Sequence, residues 1–296
     1  MALLENPSGN VTKALRAIAL AAALGGSLVF LPGCLGKTPV EPVSGEELLA
    51  KSKVAQGEAF TYDDYNEVLS TYVTEDGLVD YEGLLANRDA LDRFNADVAA
   101  ISPETYNRWS EPEQIAFLIN IYNSLTLQAI IDNYPVDSIR EINGVWKSLE
   151  FTVMGEPRTL DHIEHEMLRK DFNEPRLHMG IVCASIGCPV LRTEAFVGDR
   201  LDEQLDEQTV KFLAESRHFV IDREANEVGV SSIFNWFGDD FIKTYGTEEG
   251  YEGHNDKDRS VLNFVAQYLE DGDRTYLQES KYRLKHLDYD WGLNAQ

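Results

Sequence analysis

Helical hydrophobic patterns dominate this chain, and strand-like patterns are few. The clearest segment, residues 114–133, is apolar nearly all round, which is typical of a helix buried in a core. Ser110 and Glu113 have the spacing of a capping box, and Pro112 falls in the first turn, where its missing N–H is harmless. The pattern therefore predicts a central buried helix that begins at Ser110 and ends before Pro135.

Shorter patterns complete the prediction of secondary structure. Further helices are predicted at residues 60–69, 160–170, 199–214 and 260–269. Strands are predicted at residues 177–183, 219–221, 228–230 and 282–286, with the middle two forming a hairpin. Because the strands are few and short, we expect an α+β fold: a single, mostly helical domain with a small β-sheet.

The N-terminal segment has the pattern of an export signal. Lys13 and Arg16 supply positive charge, and an apolar stretch of fifteen residues follows at 17–31. This stretch is shorter than the ~20 residues that a spanning helix needs. The next four residues, Leu31-Pro32-Gly33-Cys34, resemble the lipobox of bacterial lipoproteins, in which the cysteine receives a lipid and becomes the first mature residue.

These features divide the chain into a lipoprotein signal peptide (1–33), a flexible tether (34–55) and a single domain (56–296). An ordinary signal peptide and a retained anchor are the alternatives to a lipoprotein. Leu35 replaces the Asp that favours inner-membrane retention in Gram-negative lipoproteins. The expected location is therefore the cell envelope, at the outer membrane facing the periplasm if the host is Gram-negative.

The composition is globular, but the net charge of −25 is unusually acidic. Such a charge argues against nucleic acid as a partner, because the phosphates would be repelled. It fits either a solvated surface that keeps the protein in solution or a saline habitat in which salt screens self-repulsion. Neither explanation identifies a ligand or substrate.

Polar residues on apolar helix faces are the first candidate site residues. Asn120 and Asn123 lie three apart on the central helix, so they share a face and either hold loops in place or line a pocket. Glu164 falls inside the apolar arc of helix 160–170, where a carboxylate is costly unless it is paired. Arg176 and His178 are its nearest cationic candidates in sequence. A structural ion pair and a site carboxylate that orients a histidine remain open.

The segment around His178 contains residue types that can act as a nucleophile or as a base. In a regular strand at 177–183, His178 and Cys183 point to opposite faces. Pro189 suits the first turn of a short helix, which would place Cys188 at the N-cap and lower the pKa of its thiol.

Several segments, in this order, resemble the family called domain of unknown function 547. They are EDGLVDY (75–81), FLINIYNSLTL (117–127), LDHIEHEML (160–168), PRLHMGIVCASIGCPVL (175–191), SIFNWFGDDF (232–241) and LDYDWGLN (287–294). The resemblance spans most of the domain and departs from the usual pattern at Leu118 and Ile119. It implies a single domain but no established reaction, cofactor or substrate. Its motif residues here include Asn120, Asn123, Glu164, His165, Arg176, His178, Cys183, Cys188 and Pro189.

Three hypotheses remain for the cysteine–histidine region. In the first, Cys188 is a nucleophile, His178 its base, and Glu164 or Asn120 orients the ring. In the second, Cys183 and Cys188 form a disulfide, because they are the even pair left once Cys34 is lipidated in an oxidising compartment. The third is a zinc site, but the sequence has no zinc-motif spacing and we predict no metal and no cofactor.

We predict a lipid-anchored envelope protein with a binding or scaffolding domain, in which a Cys183–Cys188 bridge lies beside His178. The alternative is a Cys–His acyl-transfer enzyme, a hydrolase or a transglutaminase-like protein, with Cys188 as the nucleophile. The sequence leaves open whether the protein is catalytic, and it names no ligand.

Overall fold

The computed structural model describes residues 49–296, so the predicted signal peptide and most of the predicted tether lie outside the described residues. Its α-helices are α1 (Asp63–Tyr72), α2 (Tyr81–Ala86), α3 (Asp89–Ala100), α4 (Pro103–Tyr106), α5 (Glu111–Asn133), α6 (Leu160–His162), α7 (Leu201–Ala214), α8 (Ser232–Phe237), α9 (Ile242–Tyr245), α10 (Asp256–Ala266) and α11 (Asp271–Glu279). Its strands are β1 (Phe151–Val153), β2 (Glu156–Arg158), β3 (Phe219–Asp222), β4 (Glu227–Ser231) and β5 (Arg283–Leu287).

The strands form two small sheets in the described part of the chain. Strands β1 and β2 make an antiparallel hairpin. In the other sheet, β4 lies between β3, which is antiparallel, and β5, which is parallel. Asn226 has a positive φ of 51° in the turn between β3 and β4, a conformation that asparagine tolerates. The predicted hairpin and the predicted α+β fold are therefore confirmed.

Helix α5 is the centre of the larger hydrophobic cluster. The predicted capping box is present, with Ser110 accepting from the Glu113 backbone and Glu113 accepting from the Ser110 backbone. Nearly every residue from Ile115 to Ile131 is buried. By length and composition α5 could cross a membrane, yet 89% of its apolar window is buried inside the protein, as expected of a core helix.

Two amides on α5 fix the loops that carry the candidate site residues. Asn120 pairs with the backbone N–H and carbonyl of Phe196, at 3.0 and 2.8 Å. Asn123 donates to the Gly180 carbonyl at 2.9 Å and accepts from the Val182 N–H at 2.8 Å. Both side chains are buried, where backbone groups need hydrogen-bond partners. Each amide supplies the partners that the loop does not obtain from other backbone groups.

The strand predicted at residues 177–183 is wrong. Residues Pro175–Met179 form a 3-10 helix, followed by an irregular loop. Pro175 suits the start of a helical turn, and the Glu174 side chain caps it by accepting from the Arg176 N–H. Because Asn123 already satisfies Gly180 and Val182, the segment needs no neighbouring strand. A short apolar run after a proline does not distinguish these two outcomes.

The C-terminal segment closes the domain over this loop. Residue Ile186 donates its N–H to the Gly292 carbonyl, and Gly187 donates to Asp290. A Cβ at Gly187 would lie 2.9 Å from the Asp290 nitrogen, so the two backbones approach closely only because Gly187 has no side chain. This contact brings the side chain of Tyr289 to the cysteine loop.

We expect Asn123→Ala to lower the free energy of unfolding by roughly 2–4 kcal/mol, because it leaves the buried Gly180 carbonyl and Val182 N–H without partners. Urea unfolding followed by circular dichroism measures the change. Asn133→Ala is the matched control on the same helix, since Asn133 is exposed and only its donor to Ala129 is lost, at a cost below about 1 kcal/mol. Equal losses in the two variants would contradict the proposed dependence.

Candidate functional site

A small pocket collects four of the predicted site residues. Its volume is about 120 Å³, and it lies where the larger hydrophobic cluster meets the one formed by the C-terminal half. The lining residues are Tyr122, Trp146, Glu164, His178, Ile181, Cys183, Cys188, Pro189, Ile233, Trp236, Phe237, Tyr289 and Trp291. Larger cavities of about 420 and 660 Å³ are present in the described part of the protein, but of the predicted residues only Cys188 borders the first and none borders the second.

Cys183 and Cys188 are adjacent in space and form no disulfide. Their Sγ atoms lie 2.8 Å apart, farther than the ~2.05 Å of an S–S bond, and both residues are free cysteines. The predicted bridge is therefore not found, although the predicted proximity is. The Tyr289 hydroxyl lies 3.0 Å from the Cys188 sulfur and 3.1 Å from that of Cys183.

The two sulfur atoms have opposite pKa shifts. The hydrogen bond to Cys188 raises the pKa of Cys183, and burial adds to that effect. Burial also disfavours a thiolate at Cys188, but hydrogen bonds from Cys183, Tyr289 and the Ser185 and Cys183 backbones outweigh it, so the pKa of Cys188 is lowered. One of these donors is the Cys183 N–H, at 2.9 Å from the Cys188 sulfur. Cys188 is therefore the thiol that ionises first.

The expected cause of the lowered pKa at Cys188 is wrong. No helix begins at Pro189 in the described structure, and residues 189–192 are irregular. The thiolate is stabilised by direct hydrogen bonds from a hydroxyl and from loop N–H groups rather than by a helix N-terminus.

Tyr289 donates to these sulfur atoms and keeps its proton. Burial raises the pKa of Tyr289 far above its usual value, and the charges of Cys188 and Cys183 add to the shift. Its hydroxyl is therefore a hydrogen-bond donor to the Cys188 sulfur, and it does not act as a base.

His178 is oriented by Asp240, not by Glu164 or Asn120 as proposed from the sequence. Its Nε2 atom lies 2.8 Å from a carboxylate oxygen of Asp240, and Arg169 binds both Asp240 oxygens at 2.6 and 3.0 Å. The ring stacks on Phe237 with centroids 4.3 Å apart. Within residues 49–296, no hydrogen bond joins His178 to either cysteine, so the structure does not form the expected nucleophile–base pair.

Arg169 forms an ion pair with Asp240 in the cluster of His178, Asp240 and Arg169. Burial lowers the pKa of His178, although Asp240 acts against that shift. Burial opposes ionisation of Asp240, but hydrogen bonds from His178 and Arg169 outweigh it and lower the pKa of Asp240 well below its usual value. At neutral pH the cluster is therefore a neutral imidazole with an Asp–Arg ion pair.

Glu164 is buried, as its place on the apolar arc predicts, but its expected partners are wrong. It lies in a π-helical stretch, Ile163–Leu168, that continues α6. Burial raises the pKa of Glu164 to about 7, while Arg169 and the Tyr122 hydroxyl act in the opposite direction. Neither Arg176 nor His178 forms an ion pair with it. The nearest histidine is His165, with Nδ1 3.9 Å from a Glu164 oxygen.

The remaining predicted residues lie outside the pocket. His165 Nδ1 lies 2.8 Å from the Arg169 guanidinium, at the edge of the Asp240 cluster. Arg176 binds carboxylates of the preceding loop and of α7: Glu174, Asp202 and Asp206. Asn120 and Asn123 hold loops. Four members of the motif set thus support the site without lining it.

Sequence reasoning missed Asp240, Tyr289 and the aromatic walls of the pocket. Asp240 and Tyr289 both fall inside segments that carry the resemblance, but no local pattern links them to residues 178–188. Trp236, Tyr289 and Trp291 pack together, with ring centroids 4.5 to 5.9 Å apart. The described residues contain no group of three or more Cys, His, Asp or Glu side chains placed to hold a metal ion.

We expect Glu164→Gln to be more stable than the unmodified protein at pH 8, by roughly 3 kcal/mol, and equally stable near pH 4. The folded state keeps its Glu164 proton up to about pH 7, whereas the unfolded state loses it near pH 4.5, so the unmodified protein loses stability across that window. Urea unfolding at several pH values measures the difference in unfolding free energy between the two proteins. The histidines contribute equally to both proteins, so their contribution cancels in this difference.

Glu166→Gln is the matched control, because it removes the same charge from an exposed carboxylate on the same helical segment. This variant is expected to lack the gain at pH 8. A Glu164→Gln protein that is less stable than the unmodified one at pH 8 would show that the carboxylate is ionised and paired.

The comparisons with known proteins support the family resemblance. The family model called "Protein of unknown function, DUF547" matches residues 106–213. No curated protein and no solved structure matches the chain. The matched range contains α5, the π-helical stretch and both cysteines, and it supports the DUF547 family, whose function is uncharacterised.

Proposed function

We propose that this protein is a lipid-anchored cell-envelope protein whose domain binds one small apolar group in the aromatic pocket. The observation that carries the binding proposal is the pocket itself. Three aromatic side chains on its wall, Trp236, Tyr289 and Trp291, pack against one another, and the two cysteines lie beside the same cavity.

The volume of the pocket limits what it can hold. A cavity of about 120 Å³ is close to the ~150 Å³ that accommodates benzene, and well below the ~300–1,000 Å³ of sites for drug-sized ligands. The ligand would therefore insert a single ring or short chain, either as a small molecule or as one side chain of a larger one. Trp236 is 43% exposed, and a large exposed indole beside the pocket suits a binding mouth.

The described geometry does not favour the acyl-transfer alternative. That mechanism needs a base within hydrogen-bonding reach of the nucleophile, and within residues 49–296 no hydrogen bond joins His178 to Cys188. Nucleic acid is an unsuitable partner for a chain with a net charge of −25. No cofactor is part of the proposal.

The membrane anchor is supported by the leader pattern alone, which lies outside the described residues. Two basic residues, an apolar stretch and the lipobox-like Leu31-Pro32-Gly33-Cys34 occur in the required order. A lipid on Cys34 would leave the domain outside the cytoplasm, at the outer membrane if the host is Gram-negative. Residues 35–55 would then act as its tether.

We expect the full chain, expressed in a Gram-negative host, to fractionate with membranes and to incorporate labelled palmitate. The matched Cys34→Ser variant should lose the label, because no other residue in the leader can accept the lipid through a thiol. Cys183→Ser is the control for cysteine loss elsewhere and should keep the label. Unlabelled protein with an intact Cys34 would contradict lipidation.

We expect phenol to bind the full-length Cys34→Ser protein with a dissociation constant on the order of 1 mM. Tryptophan fluorescence measures it, because Trp146, Trp236 and Trp291 line the pocket while Trp109 does not. Ile181→Phe places a ring inside the pocket and should abolish the saturable change. If Ile181→Phe does not fold, Ile233→Phe is used instead, because Ile233 also lines the pocket.

The control for these substitutions is Val210→Phe, which adds the same ring at a site that is 54% exposed. It should bind phenol like the parent protein. Binding that persists in the folded Ile181→Phe or Ile233→Phe protein would place phenol elsewhere and would remove the pocket from the proposal.

A further inference from the structure

We propose that Cys183 and Cys188 carry out thiol–disulfide exchange with small disulfides, with Cys188 as the attacking sulfur and Cys183 as the resolving one. The inference rests on the proposed function, because the disulfide group would enter the same aromatic pocket. Its substrate class is a low-molecular-weight disulfide with a short, uncharged arm.

The arrangement of the two sulfur atoms suits this exchange. A resolving sulfur must reach the attacking one, and the two Sγ atoms are already 2.8 Å apart. The attacking sulfur must be a thiolate, and the Cys183 N–H and the Tyr289 hydroxyl both point at Cys188, at 2.9 and 3.0 Å. No such backbone donor to Cys183 is present in the described residues.

The pocket decides which disulfides can react. Cys188 is 3% exposed and borders both the aromatic pocket and the cavity of about 420 Å³. Of these two, only the aromatic pocket is also lined by Cys183 and Tyr289, so the reacting disulfide is placed there. A neutral small disulfide fits the apolar walls. A larger anionic disulfide is disfavoured twice, by its size and by the charge of −25 on the chain.

The exchange balances in two steps. The Cys188 thiolate attacks one sulfur of the substrate R–S–S–R, forms the mixed disulfide Cys188–S–S–R and releases R–S⁻, which takes a proton from solvent. Cys183 then loses its proton and attacks the Cys188 sulfur, which forms the Cys183–Cys188 bond and releases the second R–S⁻ to take up that proton. The two electrons lost by the dithiol reduce R–S–S–R to two R–SH.

The product of this reaction is the disulfide that the even cysteine count predicts for an oxidising compartment. The described structure is then the reduced form of the pair. The loop between the cysteines needs little rearrangement, because the sulfur atoms must approach by less than about 1 Å. Anchoring of Ile186 and Gly187 to the C-terminal segment keeps the loop in place in either form.

The test uses the full-length Cys34→Ser protein, reduced and then freed of reductant, with bis(2-hydroxyethyl) disulfide as the probe. Intact mass spectrometry should show a protein lighter by two hydrogen atoms, with no lasting adduct. Cys183→Ser should stop at the mixed disulfide on Cys188. Cys188→Ser should react at least roughly tenfold more slowly, because its remaining thiol has a smaller thiolate fraction.

Tyr289→Phe tests how Cys188 is activated. Loss of the hydroxyl removes one donor to the thiolate, so the half-maximal rate of adduct formation in the Cys183→Ser background should move to higher pH. Groups that also face this pair are Tyr81, Tyr122 and, through the pocket, Glu164 and His178. The profile is therefore compared with that of Glu164→Gln. A merely structural role for Tyr289 would slow the reaction at every pH without moving the profile.

Two outcomes separate this inference from the binding proposal. If phenol binds but the Cys183→Ser protein gains no adduct on Cys188, the exchange is wrong and the binding proposal stands. If exchange proceeds equally in the folded Ile181→Phe and Val210→Phe proteins, it does not use the pocket. Glutathione disulfide reacting as fast as the neutral probe would also overturn the proposed substrate class.

Discussion

Two buried amides on α5, Asn120 and Asn123, are the interaction on which the rest of the site depends. Each pairs with both backbone groups of a loop that has no strand or helix to satisfy it. Asn123 hydrogen-bonds the Gly180 carbonyl and the Val182 N–H. The chain that follows the 3-10 helix therefore needs no neighbouring strand, and it places Cys183 at the pocket. An apolar residue at either position would leave those groups buried and unpaired, and would free the loop that positions the thiols.

Much of the framework could be predicted from local signals. The capping box before α5, its continuous apolar surface and the spacing of its two amides are all set by residues within one helix. The segment after Pro175 could not be predicted in the same way. Its conformation depends on Asn123, more than fifty residues earlier in the chain, and on a cap from Glu174. Hydrophobic periodicity carries no information about either partner.

The sequence mainly predicted the site residues that lie close to one another along the chain. Cys183, Cys188 and His178 lie within eleven residues of one another, and Glu164 was marked by its place on an apolar arc. The groups that set their chemistry come from far away: Asp240 follows α8, and Tyr289 follows β5. The sheet and the contact between the C-terminal segment and the cysteine loop bring Asp240 and Tyr289 to the pocket. Their roles therefore depend on tertiary contacts, and the spacing of residues in the sequence does not indicate them.

The pocket separates two kinds of polar group, and this separation favours exchange over acyl transfer. Asp240 and Arg169 carry the charges near His178. In residues 49–296, by contrast, the hydrogen-bond partners of the Cys188 sulfur are a neutral hydroxyl, loop N–H groups and the other thiol. Such donors stabilise a thiolate, but none of them is a base that takes a proton from the nucleophile and passes it to a leaving amine. Amide cleavage needs that proton, because an amine leaves as a poor leaving group unless it is protonated. A thiolate with a pKa of about 8.5 leaves without one, so the environment of Cys188 supplies what disulfide exchange requires.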